Sequence, residues 1–145
     1  MAAGYRFIDH TADVEFIAEG RGMSSAFRNS FLAFANTMSD AGKVARSKAP
    51  RMLISVEEEE GTLEDLLWAM LQDILSISDA DGVVPYAAKS VKVWESGGSY
   101  RLKATVYAKH PAPSASRFDV KGVTRYNLEV KRSKTGFTAN VVLDV

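Results

Sequence analysis

The stretch Thr62-Leu63-Glu64-Asp65-Leu66-Leu67-Trp68-Ala69-Met70-Leu71-Gln72-Asp73-Ile74-Leu75-Ser76-Ile77 decides the fold. Leu63, Leu66, Leu67, Met70, Leu71, Ile74 and Leu75 recur at three- and four-residue steps, the period of one helical face. The stripe is wide, and Trp68 widens it further, so the segment predicts a central buried helix. Thr62 with Asp65 three residues on is a capping-box variant, with Asp in the place of Glu. Glu64, Asp65, Gln72 and Asp73 interrupt the run, which is too short and too charged to span a bilayer.

Upstream, Glu57 to Glu60 is an acidic run that complements the positive N-terminal end of a helix. Met52, Ile54 and Val56 alternate with Leu53 and Ser55 as a short strand, and Lys43 to Arg51 reads as a polar connector with Pro50. Phe27, Phe31, Phe34, Ala35 and Met38 mark a second amphipathic helix, capped by Ser24 or Ser25 and ended before Gly42. Val14, Phe16 and Ala18 alternate with Glu15 and Glu19, a strand preceded by a turn at His10 to Asp13 and by a short strand over Tyr5 to Ile8.

Downstream, Ser78-Asp79-Ala80-Asp81-Gly82 resembles a calcium loop only superficially, since the ligand spacing and the terminal Glu are missing. It reads as a turn. From Val83 the pattern is β. Val91 to Trp94 and Tyr100 to Tyr107 flank Ser96-Gly97-Gly98-Ser99, and Val120 to Val130 and Phe137 to Val145 flank Lys134-Thr135-Gly136, two hairpin signals. With no internal repeat and no long linker, residues 1–145 read as one unit. The expected fold is an α+β two-layer domain, with two long helices packed on a largely antiparallel sheet.

A chain of 145 residues is enough to bury roughly two thirds of its unfolded surface. It has 18 basic and 18 acidic residues, so no net charge supports autonomous binding to RNA or an anionic membrane. It contains no cysteine, which excludes disulfides, thiol catalysis and Cys-based metal sites. His10 and His110 form no paired-histidine motif, so any metal would be held mainly by oxygen. Met1 to Asp13 lacks the apolar run of a signal peptide, and a cytoplasmic protein is expected.

Three short segments could carry chemistry. Asp9-His10-Thr11-Ala12-Asp13 places two carboxylates and an imidazole at a turn, where they could bind a hard cation or exchange protons. The simpler reading is structural, since Asp and Thr are common turn residues whose side chains bond the local backbone. Asp144 lies on the polar face of the last strand, next to the α-carboxylate of Val145, and two such groups repel unless a cation lies nearby. Val145 itself has the phase of a buried residue. In Val120-Lys121-Gly122-Val123-Thr124, Lys121 could neutralise carboxylates, meet a phosphate or simply cover an exposed face. No Walker A, Rossmann or GxSxG signature is present.

Taken together, these segments resemble the archease family from about Tyr5 to Val145. The specific elements are the DHTAD turn, the amphipathic strand and Gly after it, the two helices, Asp81-Gly82, the V-K-x-V-T segment and the closing Val142-Leu143-Asp144-Val145. The resemblance implies a small accessory protein that activates the GTP- and divalent-metal-dependent RNA-splicing ligase of the RtcB type. In that role it promotes guanylylation and multiple turnover in tRNA splicing. A chaperone-like role beside a tRNA methyltransferase is also implied. Asp13, Asp144 and the Val145 carboxylate would be the metal ligands, for Ca²⁺, Mg²⁺ or Mn²⁺. Lys121 would serve activation together with Asp13 and Asp144, and Asp9 and His10 would stand behind them. The family pattern usually continues Tyr-His after Thr124, where this chain has Arg125 and Tyr126.

Two other classes compete. A stand-alone metal-dependent phosphoesterase would use Asp13 and Asp144 as ligands and His10 as acid or base. A plain RNA- or protein-binding module would bind without activating. In the accessory reading, RNA is reached only through the partner.

Overall fold

The computed structural model describes residues 4–8 and 13–145. The chain runs β1 (Tyr5–Ile8), β2 (Val14–Gly20), α1 (Met23–Met38), α2 (Ala41–Arg46), β3 (Met52–Glu60), α3 (Leu63–Asp81), β4 (Val84–Ser96), β5 (Ser99–Lys109), a 3-10 turn (Pro113–Ala115), β6 (Gly122–Val123), β7 (Glu129–Ser133) and β8 (Gly136–Asp144). The strands form two antiparallel sheets. One orders β1-β2-β8-β6, with β7 also paired to β8; the other orders β3-β5-β4. The fold is therefore α+β as expected. It has two sheets instead of one, and a short third helix beside the two expected ones.

α3 forms for the reasons its sequence carries. Thr62 caps it, its Oγ1 accepting from the Asp65 N–H at 3.1 Å. Leu66, Leu67, Met70, Leu71, Ile74 and Leu75 are at most 1 % exposed. Each such side chain contributes about 1.5–3 kcal/mol on burial. The helix runs four residues past Ile77, so Ser78 to Asp81 is its last turn and not a separate loop. Gly82 stops it in the left-handed region at φ 66°, which a side chain would resist.

α1 is capped by Gly22 rather than by Ser24 or Ser25. Ser25 is the third helical residue, and its Oγ accepts from the Gly22 N–H at 3.1 Å. Ser24 instead accepts from the Val93 N–H at 2.9 Å and fastens the helix to β4. Phe27, Phe31 and Phe34 are fully buried. They share one core with Phe16, the α3 stripe, Ile54, Val106 and Leu143, into which both sheets and both long helices contribute.

The segment read as a polar connector begins inside α2. Asp40 caps it by accepting from the Lys43 N–H at 3.1 Å, and that bond holds the Asp40 carboxyl below its usual range. Buried Lys109 donates to the carbonyls of Ala45 at 3.0 Å and Ser47 at 2.9 Å, closing the helix's far end. The acidic run Glu57 to Glu60 is not a prelude to α3 but the second half of β3, laddered against Lys103 to Tyr100 of β5. Glu57 and Glu59 pair across the strands with Lys103 and Arg101. The expected strand over Val120 to Val130 shrinks to Gly122–Val123 and Glu129–Ser133, separated by a turn in which Asn127 adopts φ 56°.

No helix among the described residues is long and apolar enough to cross a membrane.

Candidate functional site

β8 organises the site. Its apolar alternation buries Ala139, Val141 and Leu143 on one face. Val142, on the other face, is buried as well. On one edge β2 pairs in the register Val14↔Leu143 through Gly20↔Phe137. Asp13 precedes the first of these pairs and Asp144 follows it. The two thus flank the end rung of the ladder at neighbouring strand ends, more than a hundred residues apart in sequence.

On the other edge, β6 pairs Gly122 with Asp144 and Val123 with Leu143. The Lys121 N–H donates to the Asp144 carbonyl at 2.7 Å, and the Thr124 N–H to the Val142 carbonyl at 3.0 Å. Asp13, Asp144 and Lys121 therefore come from three neighbouring strand ends. Asp144 and Lys121 are exposed, and Asp13 and Val145 are half-buried. Val145 packs its side chain against the main core, in line with its phase. Asp9 and His10 lie outside the described residues. His110 follows β5, and its Nδ1 sits 3.0 Å from the Gly82 carbonyl oxygen.

Among the described residues, no three His, Asp or Glu side chains cluster as a metal site. Nor does any described salt bridge involve Asp13 or Asp144. The two carboxylates offer hard oxygen donors, and the Val145 carboxylate adjoins Asp144 in the chain. That donor chemistry fits Ca²⁺, Mg²⁺ or Mn²⁺ and disfavours soft metals.

The Lys121 segment is held from the far side by α3, a set of contacts that sequence reasoning missed. Trp68 Nε1–H donates to the Val123 carbonyl at 2.8 Å. The Val123 N–H donates to Gln72 Oε1 at 3.2 Å. The Arg125 guanidinium lies 4.4 Å above the Trp68 ring and is ion-paired with Asp65. Glu64 Oε2 accepts from the Val130 N–H at 2.8 Å. Arg125, where the chain departs from the usual Tyr-His, thus faces the helix, while Tyr126 is 67 % exposed. One signal did exist: a Trp on a buried helix must find an acceptor for its indole N–H.

A second acidic locus stands apart. Burial, the neighbouring Asp73 carboxyl and the charge of Glu60 push the Glu58 carboxyl from 4.5 up to about 7.

Comparison with known proteins bears on the family and the fold. The model of the Archease protein family (MTH1598/TM1083) matches residues 5–145. "Protein archease" of Methanosarcina acetivorans is 30% identical over 143 residues, covering 97% of this chain and 95% of that one. "Protein archease" of Aeropyrum pernix is 27% identical and covers 100% of this chain and 99% of its own. The solution structure of protein 1598 of Methanobacterium thermoautotrophicum superposes with a TM-score of 0.81 at 27% identity, covering 99% of this chain and all of that one. A crystal structure from Thermotoga maritima, described as an archease and possible chaperone, shares the fold with a TM-score of 0.54 at 19% identity over 95% of this chain and 94% of that one. The match to the family model spans both ends of the chain that meet at β8, and the chain belongs to the archease family.

Proposed function

We propose that this chain is a cytoplasmic accessory protein, not an enzyme, that activates an RNA-splicing ligase of the RtcB type and thereby serves tRNA splicing. The observation that carries the reading is the meeting of Asp13, Asp144 and Lys121 at one end of β8. Asp13, Asp144 and the Val145 carboxylate would hold a divalent cation. When bound, that ion supplies concentrated positive charge on an otherwise acidic edge. Lys121 adds a mobile ammonium beside it, suited to the phosphates of the ligase's guanine nucleotide. Docked against the ligase's nucleotide site, this edge would favour guanylylation and restore turnover. RNA would be contacted only through the ligase.

A second reading is a chaperone-like modulator of a tRNA methyltransferase. The description of the Thermotoga relative as a possible chaperone favours it.

The test is to incubate the purified protein with RNA and GTP, first alone and then with the ligase. Activation is expected only with the ligase, and Lys121→Ala should lose it while remaining folded, since an exposed strand-edge Lys contributes little stability. RNA turnover by the protein alone would instead identify a phosphoesterase. A fully active Lys121→Ala variant would remove Lys121 from the mechanism.

A further inference from the structure

β6 is only two residues long, and β8 occupies one of its edges. A strand that short cannot hold its own position. Among the described residues, its other edge faces no strand. The Val123 N–H and C=O, which would otherwise be left unpaired at 6 % exposure, are both satisfied by side chains of α3. Gln72 supplies the acceptor at 3.2 Å and Trp68 the donor at 2.8 Å. The two residues stand four apart on α3, one above the other on a single face. They present an acceptor and a donor at helical spacing and so imitate the edge of a neighbouring strand. Arg125, stacked on Trp68 and paired with Asp65, fastens the chain again two residues later.

We propose that Trp68 and Gln72 are positioning residues that act through Val123 to fix the Lys121 backbone at the Asp144 end of β8. The inference rests on the activating role given above to Lys121. α3 buries Leu66, Leu67, Met70, Leu71, Ile74 and Leu75 in the core, so it is a rigid support for a side chain that must be aimed. Without the clamp, the 120–125 segment keeps its short ladder to β8 and the flanking bonds of Lys121 and Thr124. Lys121 would then sample orientations in which its charge is misplaced.

The experiment compares Gln72→Leu, which removes the acceptor, with Gln72→Glu, which keeps an oxygen there. Trp68→Phe, which keeps the ring and loses the N–H, serves as an independent variant. Each is titrated against the ligase and examined by amide hydrogen exchange. Gln72→Leu and Trp68→Phe should lower maximal ligase stimulation on the order of 10- to 100-fold, with an unchanged half-saturating concentration. Gln72→Glu should retain most of the stimulation. Exchange of the Val123 amide should quicken about 2- to 10-fold in Gln72→Leu, and that of the α3 core amides should not. Combining Lys121→Ala with Gln72→Leu should be no worse than Lys121→Ala alone. Wild-type stimulation by both clamp variants, beside an inactive Lys121→Ala, overturns the positioning role alone. A loss confined to the half-saturating concentration does the same, since the clamp would then shape only docking. Full stimulation by Lys121→Ala overturns the activating role on which the inference depends.

Discussion

Replacing Glu58 by Gln should stabilise the protein at neutral and alkaline pH and leave it nearly unchanged in acid. Glu58 pairs with Leu102 on the face of β3 that also buries Ile54 and Val56, so its carboxyl points toward α3. Its Oε2 is removed from solvent and has no hydrogen-bond partner among the described residues. Burial first, then the neighbouring Asp73 carboxyl and the charge of Glu60, raise it from 4.5 to about 7. The folded state therefore holds a proton that the unfolded chain has already released, and stability falls as pH rises through that window. The full interval corresponds to at most about 3.4 kcal/mol at 1.36 kcal/mol per pH unit. Because Glu58 keeps some contact with solvent, about 1–2 kcal/mol is the fitting figure. Glu58→Gln carries no such penalty, so its melting temperature at pH 8 should exceed the wild type's by about 2–8 °C. At pH 4.5 the difference should nearly vanish. Thermal denaturation at pH 4.5, 6 and 8 checks this. A difference independent of pH, or a variant less stable than wild type at pH 8, would refute the reasoning.

Two further outcomes bear on the metal site. Ca²⁺, Mg²⁺ or Mn²⁺ should raise the melting temperature of the wild type, because a ligand bound only by the native state stabilises it. Asp13→Asn and Asp144→Asn should each abolish most of that rise, measured by calorimetry, and without metal either should be as stable as wild type or slightly more so. Placing a tag after Val145 converts its carboxylate to an amide and should weaken metal affinity by isothermal titration, whereas a tag before Met1 should not. Equal affinities would remove that carboxylate from the donor set.

The local elements were legible where one residue pattern served one environment. The Leu66–Leu75 stripe and the Thr62 cap specify α3 on their own, as the Phe27–Met38 spacing specifies α1. α2 escaped because its six residues span less than two turns and show no apolar period. β3 was cut short because Glu57 to Glu60 breaks the alternation begun by Met52, Ile54 and Val56. Lys103 and Arg101, more than forty positions away, compensate that charge. Two sheets could not be told from one, since strand partners are long-range choices. At the site, DHTAD and the closing Asp144 could be found as motifs. The support beneath Lys121 could not, because Trp68 and Gln72 read as ordinary members of a buried helix until the partner backbone is in place.

The pairing of β2 with β8 also constrains how the molecule comes into being. Val14 and Leu143 are 129 positions apart, yet they are ladder neighbours. At 5–20 residues per second, a ribosome needs about 6–26 s to travel from one to the other. Throughout that time the β2 edge of the β1–β2 hairpin stays open, and Phe16 and Ala18 lack the Val141 and Ala139 that will cross from them. Helices α1 and α3 can assemble with the β3–β5–β4 sheet meanwhile, since all their residues are made earlier. Closure of the first sheet must wait for the final strand. A nascent or truncated chain lacking Gly136–Asp144 would therefore expose an unpaired apolar edge and be prone to associate with other copies of itself.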